Sequence, residues 1–326
     1  MADWIRVRED EHYDAYARMR NAMFPDQPTT GPLMRASEER TPPAAQMERY
    51  LLRHNGEVLG AGIAMHAYWF QAPELFVADA LVRPGSAETF AEIHGRVCAR
   101  ASEMGAGRLR TMVSTVVPEC IEVLRADGFA EVERFPVTSV DLAAFDPGNF
   151  ADACRAARES GIEIMPLSEY IAAHPDEWRT RIWRFDMEVS RDMPFQEAWA
   201  EIPFEAYRGQ FMDVPTFDPE LHFVALDGSE LVGITMLILV LGDPTLLGTG
   251  LTGVSRSHRR RGIATALKVR SLETAVARGY HRVVTENEET NPMLDLNFRL
   301  GYRRVYDEVV LARAGGPGSE SAPNAP

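Results

Sequence analysis

The sequence predicts an α/β (α+β) protein made of two copies of one unit, each a mixed, mostly antiparallel sheet with helices on both faces. The chain has 326 residues, which fits two domains of roughly 100–200 residues each. Both halves show one order of signals: a hairpin, an apolar strand, a helix, a strand, a second helix and a final apolar segment. A Gly-aromatic pair precedes that last segment, Gly128-Phe129 in the first half and Gly301-Tyr302 in the second. A hairpin followed by β-α-β predicts a mixed sheet, and its repetition predicts a tandem protein.

Each half starts this series with a tight turn between two apolar runs. The turn residues are Asn55-Gly56 in the first half and Asp227-Gly228 in the second. Asn-Gly and Asp-Gly favour two-residue hairpins because they accept the positive φ angles that such turns need. We therefore predict equivalent hairpins in the two halves.

The second half can be divided into elements from its apolar pattern and its glycines. Gly279 predicts the end of the longest helix, because glycine adopts the left-handed conformation that ends many helices. The predicted elements are a strand at 162–165, helices at 167–173 and 176–189, a loop at 193–219, the hairpin, a strand at 248–254, a helix at about 262–278, a strand at 282–285 and a helix at 293–300.

Composition divides the chain into four segments. Residues 1–145 form the predicted first domain and residues 161–314 the second. Residues 146–160, which begin with Asp-Pro-Gly and continue as a polar, Ala-rich stretch, form the predicted linker. Residues 315–326 are mostly Gly, Pro, Ser and Ala, and such segments cannot bury enough apolar surface to fold, so we expect a disordered tail.

Charge and cysteine content exclude several classes of function. The net charge is -14, which disfavours nucleic-acid binding because that binding depends on a basic surface. The sequence contains no run of about 18 apolar residues, which a membrane span would need, and the N-terminus has no signal-peptide pattern. The three cysteines are far apart, which argues against disulfides or structural zinc and suits a reducing cytoplasm. We expect a cytoplasmic protein without metal, nucleic-acid partner or membrane contact.

One segment, 252–267, carries a ligand-binding pattern. It consists of a buried strand, a polar turn and a helix whose start lacks bulky side chains at Gly262, Ala264 and Thr265. The first amides of a helix have no internal partner and lie at the positive end of its dipole, so they bind phosphate. The three arginines 259–261 add charged donors. The prediction is a polyphosphate site, with a solvated basic turn or a nucleic-acid patch as the alternatives.

Two motifs in this half resemble the GNAT superfamily of acyltransferases. The run Arg259-x-x-Gly262-x-Ala264 is similar to the family's pyrophosphate signature, (Arg/Gln)-x-x-Gly-x-(Gly/Ala). Residues 285–302 resemble its last strand, loop and helix, which end in a Gly-aromatic pair. Together the motifs cover about residues 250–303, and the hairpin extends the likeness to most of the second half. The chain is identified as a tandem GNAT protein with a degenerate first and an intact second domain.

The resemblance implies acetyl-CoA as co-substrate and direct attack by an amine, without a covalent enzyme intermediate. The backbone of residues 252–254 would bind the pantetheine arm, and the Val254 amide would polarise the thioester carbonyl. Residues 260–265 would surround the pyrophosphate. The full predicted cofactor-binding set is Thr252, Gly253, Val254, Arg259, Arg260, Arg261, Gly262, Ile263, Ala264, Thr265 and Asn291.

The acid and base of the reaction follow less clearly from the resemblance. Many members carry a tyrosine four residues before the closing glycine, and here that position is Asn297, which cannot act as an acid with a pKa near 10. Water or Tyr302 are the alternative proton sources. For the base we expect Glu286, which lies at the end of a strand. The alternative interpretation is that Glu286 belongs to an exposed acidic loop, which also contains Glu288 and Glu289.

The GNAT layout also implies where the acceptor binds. The first helices of the domain cover the acceptor pocket, so Asp186, Glu188 and Asp192 are candidate ammonium-binding residues. The alternative is an ordinary amphipathic helix with a solvated acidic side. In the first half the equivalent turn contains Pro84, which removes an amide donor, and lacks the arginine-glycine spacing. We expect that half to have lost cofactor binding and to act as a scaffold or pocket wall.

These features together predict an acetyl-CoA-dependent N-acyltransferase that acts on the primary amine of a small molecule or peptide. A non-catalytic acyl-CoA-binding or regulatory protein is one alternative. A nucleic-acid-binding protein that uses the 258–261 turn is another, although the acidic charge opposes it. The tandem repeat is compatible with a monomer, as a pseudo-dimer within one chain, or with a homodimer.

Overall fold

The computed structural model describes residues 2–314, and the tail predicted at 315–326 lies outside them. The strands are β1 Asp3–Arg6, β2 Glu48–His54, β3 Glu57–His66, β4 Leu75–Val82, β5 Arg108–Ser114, β6 Ala130–Asp141, β7 Ile162–Pro166, β8 His222–Asp227, β9 Glu230–Leu239, β10 Leu246–Val254, β11 Arg282–Glu286 and β12 Arg303–Ala314. The α-helices are α1 Asp10–Met23, α2 Gly31–Arg40, α3 Ala87–Glu103, α4 Pro118–Ala126, α5 Ala151–Glu159, α6 Leu167–Ala173, α7 Trp178–Ser190, α8 Phe204–Tyr207, α9 Ile263–Ala277 and α10 Pro292–Arg299. Apart from the linker helix α5 and the short α8, the two halves repeat one order of elements, as predicted.

All twelve strands form one continuous sheet in the order β1-β2-β3-β4-β5-β12-β6-β11-β10-β9-β8-β7. Among the strands of residues 2–314, only β4 with β5 and β10 with β11 pair in parallel, so the predicted mixed, mostly antiparallel sheet is confirmed. The last strand of each half is exchanged: β12 pairs with β5, and β6 pairs with β11. Each half of the sheet is therefore completed by a strand of the other half, and the junction between the halves is a shared core.

The equivalent helices α3 and α9 pack closely on the sheet because a glycine lies beneath each of them. A Cβ atom at Gly60 would lie 2.5 Å from Ile93 Cδ1 of α3, and one at Gly233 would lie 3.0 Å from Leu267 Cδ1 of α9. Both glycines stand at the same point of the hairpin in their half. The shared packing device supports the interpretation of the chain as a repeat.

The hairpin turns differ in detail. Asn55 and Gly56 both have positive φ, 51° and 83°, so the predicted two-residue turn is confirmed in the first half. In the second half the turn lies one residue later than predicted, because Gly228 and Ser229 connect β8 to β9 and Gly228 has the positive φ, 60°. Asp227 therefore ends β8, and its carboxylate lies 3.2 Å from the imidazole of His258.

Most predicted elements of the second half lie within a few residues of the observed ones. The predicted loop 193–219 is partly helical, since it contains α8 and a single π-helical turn at Arg208–Met212. The predicted linker contains α5, which packs against α9. Within residues 2–314, no helix combines the length and the apolar character that a membrane span requires.

Candidate functional site

A cavity with a volume of ≈ 830 Å³ lies at the junction of the two halves. The second half contributes the end of β10, the following turn, the first two turns of α9 and the loop after β11. The first half contributes side chains of β5 and β6 and the loop after β3. Most of the predicted site residues line this cavity; Arg261, Asp186, Glu188 and Asn297 do not.

The middle of the cavity is a gap between two parallel strands. β10 pairs with β11 only through residues 246–248, and the two strands then separate. The amide of Ser255 donates to Val232 O in β9. Because amide directions alternate along a strand, the amides of Thr252 and Val254 point the other way, toward the gap. The gap therefore presents free backbone donors to an extended ligand.

The helix α9 begins at one end of this gap. Arg260 and Gly262 have positive φ angles of 62° and 79°, which turn the chain sharply into the helix. No side chain caps the helix, so its first amides are free of intrahelical and capping partners. Ala264 and Thr265 line the cavity beside these amides. This open helix N-terminus is a suitable binding site for a phosphate group.

The three arginines of the turn have different partners. Arg259 donates to Val254 O at 3.1 Å and forms an ion pair with Asp192. Arg261 donates to Ser160 O at 3.1 Å and does not line the cavity, so its contribution to cofactor binding stays a prediction. Arg260 lines the cavity and has no ion-pair partner among residues 2–314. Arg260 is thus the arginine best placed to meet a phosphate.

Two of the three predicted ammonium-binding residues, Asp186 and Glu188, lie outside the cavity lining. Asp186 accepts hydrogen bonds from Ser190 Oγ at 2.8 Å and Tyr207 Oη at 2.5 Å, and it holds α7 against α8. Burial raises the pKa of this carboxyl. Glu188 is exposed to solvent on the outer side of α7 and lies away from the cavity. The helical phase of α7 explains both positions, because Val189 is the residue of α7 that lines the cavity.

Asp192 lines the cavity but is already neutralised. Its carboxylate pairs with Arg256 and Arg259, and hydrogen bonds from these arginines lower its pKa to about 2. The residue ties the loop after α7 to the turn before α9. Its position favours a structural role in the phosphate-binding turn over the capture of a substrate ammonium.

The two asparagines of the last loop and helix have structural partners. Asn291 caps α10, since its Oδ1 accepts from the amide of Met293 at 2.9 Å, while the residue also lines the cavity. Asn297 is fully buried, and its Nδ2 donates to Asn287 Oδ1 at 2.6 Å. Asn297 does not line the cavity, and its catalytic role stays a prediction. It positions Asn287, which lines the cavity.

Glu286 lines the cavity together with a second carboxyl group, Glu308 of β12. Gln27, from the loop after α1, donates through Nε2 to Glu308 Oε1 at 3.1 Å and to Glu286 Oε2 at 3.4 Å. Arg20 fixes the Gln27 side chain, because it donates to both its backbone and its side-chain oxygen. The first half of the chain therefore positions the two glutamates.

The surroundings of these glutamates change their acidity, with Glu308 buried and Glu286 exposed to the cavity. Burial, and then the charge of Glu286, raise the pKa of Glu308 to about 8. Desolvation by the surrounding protein also raises the pKa of Glu286, although its side chain is exposed to the open cavity. Such a pair retains a proton near neutral pH and can accept another from a bound group. The alternative residue Glu288 is engaged within its own loop, where it accepts from Thr290 N at 2.7 Å.

Sequence reasoning missed Glu308 and Lys268. Glu308 is 5% exposed and interrupts the apolar run of β12, which is the signal that could have found it. Lys268 is the single lysine of the chain and is 3% exposed. It lines the cavity from α9 and lies 5.3 Å from the ring centre of Tyr302. Tyr302 itself, an alternative proton source, does not line the cavity, and burial raises its pKa further.

Replacing Lys268 with methionine is expected to stabilise the protein, most strongly below pH 7. Burial lowers the pKa of Lys268 from 10.5 to about 7. Between pH 7 and 10.5, Lys268 is protonated in the unfolded chain and neutral in the folded chain. The destabilisation that it causes therefore falls by about 1.4 kcal/mol for each unit by which the pH rises. Urea unfolding of both proteins at pH 7.5 and 9.5 should show the difference shrinking with pH. A constant difference would contradict the lowered pKa.

The equivalent turn of the first half is closed to a phosphate. The amide of Gly85, next to the start of α3, donates to Glu119 Oε1 at 2.7 Å. A carboxylate thus occupies the position where a phosphate oxygen would bind, and Pro84 lacks an amide hydrogen. Both features support the expectation that this half does not bind the cofactor at its own turn.

Residues 176–302 match the model of the acetyltransferase (GNAT) family. The second half of the chain contains a GNAT acetyltransferase domain. No curated protein matches the sequence. The predicted family is therefore confirmed by the family model and, for the fold, by solved structures.

Solved structures show the tandem GNAT fold over nearly the whole chain. A tandem GNAT protein from the clavulanic acid biosynthesis pathway has a TM-score of 0.72 at 19% identity, with 98% of this chain and 100% of that chain covered. A GCN5-related N-acetyltransferase from Sphaerobacter thermophilus has a TM-score of 0.67 at 16% identity, with 98% of each chain covered. A glucosamine N-acetyltransferase region of a fungal β-N-acetylglucosaminidase has a TM-score of 0.69 at 13% identity, with 96% of this chain and 38% of that chain covered. At these identities the likeness concerns the fold.

Proposed function

We propose that this tandem GNAT protein transfers an acetyl group from acetyl-CoA to the primary amine of a small molecule or peptide. The observation that carries the proposal is that the uncapped N-terminus of α9 opens into the same cavity as Glu286 and Glu308. A polyphosphate site and a proton-accepting pair thus lie within reach of one ligand. The GNAT domain at 176–302 supports acyl transfer as the reaction class.

The residues of the cavity fit acetyl-CoA. The free amides at the start of α9 and the unpaired Arg260 would hold the pyrophosphate. The amides of Thr252 and Val254 would bind the pantetheine arm in the gap beside β10. When bound, acetyl-CoA supplies an acetyl group activated as a thioester. The Val254 amide would stabilise negative charge on the carbonyl oxygen, because a fixed donor in an enclosed site needs no reorganisation.

Glu286 would remove a proton from the acceptor ammonium and leave a neutral amine able to attack. Its raised pKa brings its basicity nearer to neutral pH, where a general base is most effective. Glu308 and Gln27 would keep the carboxylate in place. Lys268, with a pKa of about 7, can hold or release a proton at the cavity wall near β10. No nucleophilic side chain is needed, since orientation in the cavity provides much of the rate.

Isothermal titration with acetyl-CoA tests the first part of the proposal. We expect one site per chain, and pantetheine, which lacks every phosphate of CoA, shows by its affinity how much the phosphates contribute to binding. Thiol release with a panel of amines then tests catalysis. Binding without thiol release from any amine would favour a non-catalytic acyl-CoA-binding protein, and absence of binding would overturn the proposal.

A further inference from the structure

The end of the cavity away from the phosphate-binding turn has a wall of aromatic side chains. Phe195 and Trp199 stack with their ring centres 5.3 Å apart and their planes at 20°. Phe70 meets both rings edge-on, at 5.9 and 5.6 Å. Trp69 and Phe135 extend the same wall, and all five residues line the cavity. This group of five residues is called the aromatic wall below.

The aromatic wall is fixed by backbone contacts between the two halves of the chain. The amide of Gln71 donates to Ala198 O, and the amide of Ala200 donates to Trp69 O, both at 2.8 Å. The loop after α7 is thereby joined to the loop after β3 as a short antiparallel bridge. The wall is therefore preformed, and a ligand that meets it does not have to order these loops first.

An apolar floor connects the aromatic wall with the two glutamates. Along β12, Glu308 and Val310 both line the cavity, and Met112 of β5 lies opposite Val310. Arg110 of β5 lies opposite Ala312, four residues beyond Glu308, which corresponds to about 13 Å along the strand. Thus the side chains along the floor change from carboxyl groups to apolar groups and then to aromatic rings, over a distance comparable to the length of a small molecule.

The charges along this floor are uneven. At the near end, Glu286 and Glu308 form no ion pair within residues 2–314, although the charge of Arg20 acts on both. At the far end, Arg110 is neutralised by Glu133 at 2.8 Å and covers the Phe70 ring at 4.9 Å. A cation is therefore favoured at the glutamate end. A flat apolar group is favoured at the other end, where aromatic faces are available.

We infer that the acyl acceptor is an arylalkylamine, with its ammonium between Glu286 and Glu308 and its ring against Phe195 and Trp199. A short alkyl chain would lie over Val310 and Met112. The inference rests on the proposed function and adds the substrate class to it. The acceptor is thereby recognised by both halves of the chain, because the wall and floor include residues from each.

Calorimetric titration of the full chain with 2-phenylethylamine, in the absence of acetyl-CoA, tests the assignment. Butylamine lacks the ring and 2-phenylethanol lacks the ammonium, and each is expected to bind at least about tenfold more weakly. Equal affinity for butylamine would overturn the role of the aromatic wall. Equal affinity for 2-phenylethanol would overturn the role of the glutamates.

Variants then assign the effect to the wall. Phe195→Leu should weaken 2-phenylethylamine about tenfold and leave butylamine unchanged, because leucine keeps the apolar volume but not the ring face. Phe211→Leu is the matched control, since Phe211 is 47% exposed and lies outside the cavity. Trp199→Leu gives a second test if the first variant folds poorly. Unchanged affinity in both wall variants would contradict the inference.

The acetyl-transfer assay separates this inference from the proposed function. Equal kcat/KM for butylamine and 2-phenylethylamine would support acyl transfer and refute the arylalkylamine class. Selective binding of 2-phenylethylamine without acetyl-CoA binding or thiol release would support the pocket and refute the acyltransferase proposal.

Discussion

Glu286→Gln is expected to lower kcat for acetyl transfer by about 10²- to 10⁴-fold, the usual contribution of a general base. Glutamine has nearly the same shape and still lines the cavity, but its amide cannot take a proton from the acceptor ammonium. The affinity for acetyl-CoA should stay within about twofold, because the phosphate-binding turn is unchanged. Steady-state kinetics with a saturating amine, together with calorimetry of acetyl-CoA, measures both quantities.

The matched control is Glu289→Gln. Glu289 is an exposed carboxylate in the same loop, and its backbone amide donates to Arg134 O, which the substitution keeps. Its kcat should equal that of the parent protein. A Glu286→Gln variant with full activity would show that the proton leaves by another route, for example to Glu308 or to water.

The pH dependence of the parent enzyme depends on the same carboxyl group. Because desolvation by the surrounding protein raises the pKa of Glu286, the group becomes protonated at a higher pH than an ordinary glutamate. The rate should therefore decline as the pH falls through that raised pKa. In Glu286→Gln the residual rate should lack this acidic limb. The comparison distinguishes loss of a base from a general distortion of the cavity, which would lower the rate without changing the shape of the profile.

The phosphate-binding turn could be predicted from the sequence because its determinants are local. The residues that form it are neighbours in the chain: a strand, the arginines, Gly262 and small residues at the start of the helix. Each of them affects the local backbone conformation or its accessibility directly. Asn291 shows the limit of such reasoning. Its position in the loop was predicted, but its capping bond to Met293 depends on where α10 begins.

The strand exchange could not be predicted from the sequence. β6 and β12 are both long and apolar, and either could complete either half of the sheet on composition alone. Their pairing with β11 and β5 is settled by contacts between residues more than a hundred positions apart. Glu308 was missed for this reason, because its partner Gln27 comes from the other half. The positions of Asp186 and Glu188 relative to the cavity could not be read from the sequence, because a shift of one residue in helical phase turns a side chain by about 100°.

Gly262→Val is expected to weaken acetyl-CoA binding by at least about tenfold, the equivalent of about one charge-assisted hydrogen bond. Gly262 has a φ of 79°, a conformation that valine strongly disfavours. Relaxation of that angle would turn the first amides of α9 away from the gap beside β10. A Cβ atom at this position would also lie 3.1 Å from Ala153 O in α5, so we expect some loss of stability as well.

Gly279→Val separates the two effects, because Gly279 follows the C-terminus of the same helix with a φ of 81°, and a Cβ atom added there would meet no other atom within 4 Å. Both variants impose similar backbone strain, but only position 262 faces the predicted phosphate site. Thermal unfolding should therefore show a loss of stability in each, whereas calorimetry should show weaker acetyl-CoA binding in Gly262→Val alone. Equal affinity in the two variants would mean that the phosphates bind elsewhere. The free amides at the start of α9 would then require another ligand.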